Sequence, residues 1–160
     1  MMIPCGADDA KELAGMARSI WMDYYPPIIG ADDTEFILKT FQSEEAIRQQ
    51  MRDGHLYYFI TEGEEKAGYL CIVPEGDSLL LSKIYVAERF RGKGLGSETM
   101  EEVLEKGREL KMRCIYLRVN RQNLASIGFY KSKGFMIAKE EKKEIGGGCC
   151  MDDFLMEYCF

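Results

Sequence analysis

Arg89-Phe90-Arg91-Gly92-Lys93-Gly94-Leu95-Gly96-Ser97 carries three glycines in five residues and leads straight into a helical run. It follows the apolar, strand-like run Ser78–Val86. A strand, a glycine-rich loop and a helix in that order point to an α/β arrangement, and the joint is a candidate anion site. Glycines let successive backbone N–H groups converge without a Cβ in the way. The positive end of the following helix adds attraction. Arg91 and Lys93 can reach phosphate oxygens, the arginine in bidentate fashion. The loop therefore fits a pyrophosphate; the competing reading is a glycine-rich turn with solvated charges. A P-loop is excluded, because Lys93 precedes Gly94 and the G-x-x-x-x-G-K-[ST] spacing fails. A dinucleotide fingerprint is disfavoured, because the last glycine of G-x-G-x-x-G is missing and the loop follows a run of strands.

The rest of the chain falls into place around this joint. Leu13, Met16, Ala17, Ile20, Trp21 and Tyr24 form one apolar helical stripe, which Pro26-Pro27 ends. A second helical stretch runs through Phe41, and Ser43 caps a third over Glu44–Met51. His55–Glu62, Lys66–Val73 and Ser78–Val86 read as an antiparallel meander, with Pro74 stopping the second strand. A helix over Gly96–Leu110 follows, its Gly107 marking close approach to the sheet. Then come strand Cys114–Asn120, a short helix Asn123–Ser132, strand Phe135–Ile145 and strand Asp153–Phe160. Cys149-Cys150, after three glycines, reads as part of a hairpin turn. Residues 78–120 should form a parallel crossover. The expected fold class is α/β (α+β), a mixed and mostly antiparallel sheet flanked by helices, in one domain spanning 1–160.

Composition narrows the partners. The net charge of −6 argues against nucleic acid, whose partners display excess Lys and Arg. No apolar run approaches the roughly 18 residues of a membrane span. The N-terminus lacks a basic region, so the cytoplasm is the expected compartment. Six cysteines without C-x-x-C spacing, and one histidine, fit free thiols and no metal.

A second stripe concerns chemistry. Asn123, Ser126, Tyr130 and Lys133 share one face of the short helix. With this face on the page, Arg91-Gly92-Lys93-Gly94-Leu95-Gly96 after Ile84-Tyr85-Val86, followed by Asn123–Phe135, resembles the GNAT superfamily of acetyl-CoA-dependent N-acetyltransferases. More loosely, residues 19–60 are similar to bacterial polyamine or diamine N-acetyltransferases. The resemblance implies a GNAT-like fold with acetyl-CoA lying where Ser78–Val86 and Cys114–Asn120 splay apart. It implies that the backbone of Ile84, Tyr85 and Val86 borders the pantetheine arm and that the amides of Arg91–Ser97 hold the pyrophosphate. Asn123 and Ser126 would flank the arm, and Lys133 would approach the nucleotide phosphate. Tyr130 matches the family's usual general acid. A thiol of pKa about 8.5 against a phenol of about 10 makes full proton transfer uphill by roughly 2 kcal/mol, so hydrogen bonding to developing charge is the expected role.

The resemblance implies that the acceptor is an amine. An alkylammonium of pKa about 10.4 costs about 4.6 kcal/mol to neutralise at pH 7, so deprotonation needs a route. Neither Glu88 nor His55 is assigned as the base. Trp21, Tyr24, Tyr25, Asp32, Asp33 and Glu35 cluster around the first helix–turn–helix, and aromatics with carboxylates suit an alkylammonium chain. A small polyamine or diamine is the favoured acceptor. Protein N-terminal or lysine amines, and a non-catalytic CoA-binding sensor, are the alternatives. A homodimer is compatible with the family.

Overall fold

The computed structural model describes residues 1–160. The elements in order are β1 (Met2–Pro4), α1 (Ala10–Tyr24), α2 (Pro26–Ile29), α3 (Ala31–Phe41), α4 (Glu44–Arg52), β2 (Leu56–Glu62), β3 (Glu65–Glu75), β4 (Ser78–Val86), α5 (Leu95–Glu109), β5 (Cys114–Asn120), α6 (Leu124–Ser132), β6 (Met136–Gly146) and β7 (Cys149–Cys159). One seven-stranded sheet has the order β1-β2-β3-β4-β5-β7-β6. Every neighbouring pair is antiparallel except β4–β5, which is parallel. The mixed α/β fold expected from the sequence is the one observed.

The sheet has a core on each face. Leu79, Leu81, Met100, Val103, Leu104, Ile115, Leu117, Ile127 and Phe135 join α5 and α6 to one face. Leu13, Ala17, Ile20, Trp21, Ile37, Ile47, Tyr57, Tyr69 and Cys71 join α1, α3 and α4 to the other. The α1 stripe read from the sequence is the inward face: Leu13, Ala17, Ile20 and Trp21 are all buried. Gly107 is where α5 meets the sheet: a Cβ there would lie 2.7 Å from Phe160 and 3.0 Å from Ile115.

Several boundaries differ from the sequence reading, each for a local reason. β1 is too short to carry a period, and its place comes from pairing with β2 through Met2↔Ile60 and Ile3↔Phe59. Pro26-Pro27 ends α1 but also opens α2, where the first helical positions need no N–H donor. Pro74 lies inside β3, beyond the last β2 partner Ile72, so β3 has a single neighbour there. Cys149-Cys150 is not in the turn: it begins β7, which starts four residues before the expected Asp153 because Gly146–Cys149 already pair. Cys159, the last residue of β7, is exposed.

Two features of β4 position the site. Register slips between Cys71 and Ile72 of β3, so Ser82 is an extra residue on β4. Such a bulge reverses the in–out alternation. Before it, Leu79 and Leu81 face α5; after it, Lys83 and Tyr85 face the helices α1–α4, and Ile84 and Val86 pack toward α5. The second feature is the close seat of Val86 against Gly68, where a Cβ on Gly68 would lie 2.1 Å from the Tyr85 carbonyl oxygen. Gly68→Ala is expected to cost about 1–3 kcal/mol of unfolding free energy, read as a lower denaturant midpoint with the m-value unchanged.

Candidate active site

β4 and β5 pair only at Ser78↔Cys114, Leu79↔Ile115 and Leu80↔Tyr116. Beyond these residues the two strands separate, although β4 stays paired with β3 to Val86 and β5 with β7 to Asn120. The facing edges of Leu81–Val86 and Leu117–Asn120 therefore border a gap inside the sheet. A cleft of about 1150 Å³ runs through it. Unpaired strand edges of this kind suit a linear ligand with alternating amide donors and acceptors.

The glycine loop stands at one end of the gap. Gly94, at φ 83°, is the N-cap of α5, and its left-handed backbone turns the loop into the helix axis. The amides of Gly92, Lys93, Gly94, Leu95, Gly96 and Ser97 donate to no acceptor in the protein, whereas Arg91 N–H just before them and Glu98 N–H just after them are both bonded. Six successive free donors at a helix N-terminus are a ready seat for a diphosphate. Of the two basic side chains singled out in the loop, Arg91 lines the cleft and Lys93 does not. Arg91 Nε donates to the Val86 carbonyl at 2.8 Å, and its guanidinium lies 4.9 Å from the Tyr24 ring. Lys93 is exposed, outside the cleft, with Nζ 5.7 Å from the Phe90 ring. The free backbone amides and the Arg91 guanidinium are the donors that this loop presents to the cleft.

α6 lines the gap deeper in. Asn123 is buried and caps α6 by accepting from Ser126 N–H at 3.3 Å. It also accepts from the Tyr24 hydroxyl at 2.8 Å, which ties α1 to α6 across the opening. Tyr130 lines the cleft and its hydroxyl has no hydrogen-bond partner in the protein. Burial, reinforced by the Tyr25 and Tyr24 hydroxyls, holds its proton well above the usual phenol range. Tyr130 is therefore an O–H donor throughout the working pH range, never a base. Lys133, on the same helical face by sequence, instead pairs with Glu101 of α5 at 3.5 Å and stays outside the cleft; it sits at the C-cap, where α6 has already ended.

The other end of the cleft is aromatic. Trp21 stacks on Tyr25 at 4.1 Å, and Tyr85 meets Trp21 edge-on at 5.3 Å. Burial pushes the Tyr25 hydroxyl up to about 12, and burial raises Tyr85 well above the usual phenol range too. Tyr85, expected to border the pantetheine arm, thus gives its side chain to this aromatic wall, because the bulge at Ser82 turns it toward α1. Asp33 lines the cleft, but Asp32 is exposed outside it and Glu35 is held on the surface by Arg18 through two hydrogen bonds. The expected acidic cluster is corrected accordingly: on α3 the inward positions are 33, 37 and 41, and 32 and 35 turn away.

Three contributors were not read from the sequence. The β6–β7 hairpin supplies a wall with Glu141, Met151 and Asp153, and its tip at Gly147 packs on Phe36 of α3. Arg118 of β5 is the second. The third is Lys83, which is buried and donates to Gln50 Oε1 at 2.8 Å and to the Tyr57 hydroxyl at 2.7 Å. Burial holds Lys83 below its ordinary range, and burial together with Lys83 does the same to His55. His55 lines the cleft beside Cys71 at 3.8 Å, whereas Glu88 is exposed in a turn outside it. The only signal for Lys83 was a lone lysine in an apolar strand; for the hairpin there was none, because side chains reach the cleft only through the curl of β6 and β7.

The acetyltransferase (GNAT) family model matches residues 14–135. The chain belongs to the GNAT acetyltransferase family. Its activity is acetyl-CoA-dependent N-acetyl transfer. It is 26% identical over 158 residues to an uncharacterized N-acetyltransferase in the pepI 3′ region of Lactobacillus delbrueckii subsp. lactis, covering 93% of this chain and 91% of that one. It is 24% identical over 115 residues to the peptidyl-lysine N-acetyltransferase YjaB of Salmonella typhimurium, covering 70% of this chain and 73% of that protein. The PaiA N-acetyltransferase of Thermoplasma acidophilum, solved with coenzyme A, superposes with a TM-score of 0.81 at 19% identity over 100% of this chain and 98% of that one. The hairpin wall lies beyond the residues that the family model matches.

The loop geometry has a direct test. A side chain at Gly94 must adopt the left-handed region at a cost of about 1–2 kcal/mol. Gly94→Ala is expected to weaken coenzyme A binding by about tenfold and leave pantetheine, which lacks the pyrophosphate, unchanged, as read by calorimetry.

Proposed function

We propose that this GNAT acetyltransferase acts on a small aliphatic diamine or polyamine, with Tyr130 donating to the departing sulfur and the Gly92–Ser97 amides holding the pyrophosphate. One observation carries the reading. A single cleft runs from the unpartnered amides of the glycine loop, past the free Tyr130 phenol, to aromatic walls and carboxylates at the other end.

Acetyl-CoA supplies an activated acetyl group; its transfer forms the C–N bond, breaks the C–S bond and releases the thiol. The chain's own residues divide the remaining work. The edges at Ile84 and Val86 orient the arm, with Asn123 and Ser126 beside it. Trp21, Tyr25 and Tyr85 exclude water and present ring faces to an alkylammonium chain. Tyr130 keeps its proton and stabilises charge on sulfur by hydrogen bonding, since surrendering that proton to a thiolate is uphill by more than about 2 kcal/mol. The attacking nitrogen must be neutral, which for an alkylamine costs about 4.6 kcal/mol at pH 7 and makes turnover rise toward alkaline pH.

A second reading, acetylation of lysine side chains in proteins, is favoured by the activity in the name of the Salmonella relative. Thiol release with acetyl-CoA against spermidine, diaminobutane, amino acids and lysine peptides separates the two. The expected kcat/KM for the best diamine or polyamine exceeds that for any peptide by at least about tenfold. A peptide preference would replace the first reading with the second. Tyr130→Phe is expected to lower kcat at least about tenfold with the acetyl-CoA Kd unchanged; an unaltered kcat removes Tyr130 from the chemistry.

A further inference from the structure

The acceptor end of the cleft contains one ionisable side chain whose situation is unlike that of its neighbours. Asp153 of β7 is 5% exposed, lines the cleft, and makes neither a hydrogen bond nor an ion pair within the protein. The neighbouring carboxylates have partners, while Lys142 and Lys143, which also line the cleft, are exposed and unpaired. Glu141, opposite it on β6, is held by Arg118 at 2.7 Å and by Lys139 at 3.1 Å. Asp152, next to it in the chain, is held by Arg121 at 3.0 Å. Asn120, opposite it on β5, is uncharged. Lys143 stands one register position along on the same face, but it is exposed and forms no ion pair with Asp153. A buried carboxylate without a cation is costly, and proteins keep one where a ligand supplies the cation.

We propose that Asp153 anchors the second, non-reacting ammonium group of a diamine or polyamine acceptor. The proposal rests on the preceding functional reading and specifies where that substrate's far end sits. Asp153 lies on the strand next to β5, roughly 4.8 Å further from the gap. A nitrogen held there leaves a linked amine free to reach the part of the cleft that Tyr130 lines.

The chemistry favours anchoring over proton abstraction. Burial, with Asp152 and Glu141 adding repulsion against the pull of Arg118, pushes the Asp153 carboxyl up to about 6. A base of that strength faces an alkylammonium of pKa about 10.4, a gap of more than four units, or about 6 kcal/mol uphill. It also stabilises any ammonium it touches, which opposes deprotonation. A nitrogen that must stay charged is therefore the right partner, and the reacting nitrogen the wrong one. A cation within reach favours the ionised carboxylate in turn. The sign for binding follows: the anchor is present above about pH 6 and is lost as Asp153 protonates below it.

The test compares the wild-type chain with Asp153→Asn and Asp153→Glu, using diaminobutane and butylamine as acceptors. For diaminobutane, Asp153→Asn is expected to raise KM at least about tenfold with kcat little changed, and Asp153→Glu to restore part of the loss. The KM for butylamine, which has no second ammonium, should be the same in all three proteins. The acid limb of kcat/KM for diaminobutane, centred near pH 6 in the wild type, should vanish in Asp153→Asn. Equal effects on both amines, or an unchanged diamine KM, would overturn the anchor. A second readout does not depend on turnover: carboxyl carbon NMR of Asp153, in which added diaminobutane should lower its apparent pKa by at least about one unit. No displacement of that titration would also overturn the proposal. A displaced titration in a protein that acetylates no diamine would keep the anchor and reject the functional reading.

Discussion

The failure of β4 and β5 to stay paired is the constraint from which the rest of the molecule follows. Three register pairs hold the strands together, and then both edges are left without partners. Unmet backbone donors and acceptors inside a sheet are expensive unless solvent or a ligand satisfies them. This chain accepts the cost at one place only and surrounds it with rigid supports: β3 along one side, β7 along the other, α5 and α6 on one face, α1 on the other. The opening is thus a property of the whole sheet, not of a mobile loop.

The bulge at Ser82 gives this opening two chemically different ends. Without the extra residue, Tyr85 would face α5 and Lys83 would alternate into the same apolar core. With it, Lys83 and Tyr85 face the helices α1–α4. The aromatic wall and the Lys83–Gln50–Tyr57 network then lie on the α1–α4 side, while Ile84 and Val86 remain on the α5 side. The electrostatics of the two ends also differ. The loop end carries bare N–H donors. The acceptor end carries phenols whose protons are held tightly, together with the carboxylates Asp33 and Asp153.

Much of this could be read before any coordinates. The order of elements, the meander, the crossover and the two-sided core follow from periodicity and turn residues, because each of these signals is local. The glycine loop and the Asn123–Ser126–Tyr130 face were legible for the same reason: they are short motifs on one element. Lys133 failed because a helical wheel extends past the helix's own end. Asp32 and Glu35 failed because the phase of a short helix cannot be set from charge alone. The hairpin wall, Arg118 and Asp153 were invisible because they reach the cleft only through strand register over long sequence separations, such as Asn120↔Asp153. Lys83 looked like a strand residue because the bulge that redirects it leaves no mark in the sequence.

A sheet split down its middle invites hinging, and two contacts far apart in the chain work against it. The Tyr24 hydroxyl bound to Asn123 spans the split near the loop, and the β6–β7 tip seated on Phe36 spans it at the opposite end. Neither contact belongs to the ladder it replaces. They act as cross-ties between the amino-terminal and carboxy-terminal halves, fixing the width of the slot while leaving its rims free. The width of the slot that Tyr130 lines is thereby set by stitching at the ends of the split, and a slot braced at both ends can be widened only by undoing a tie.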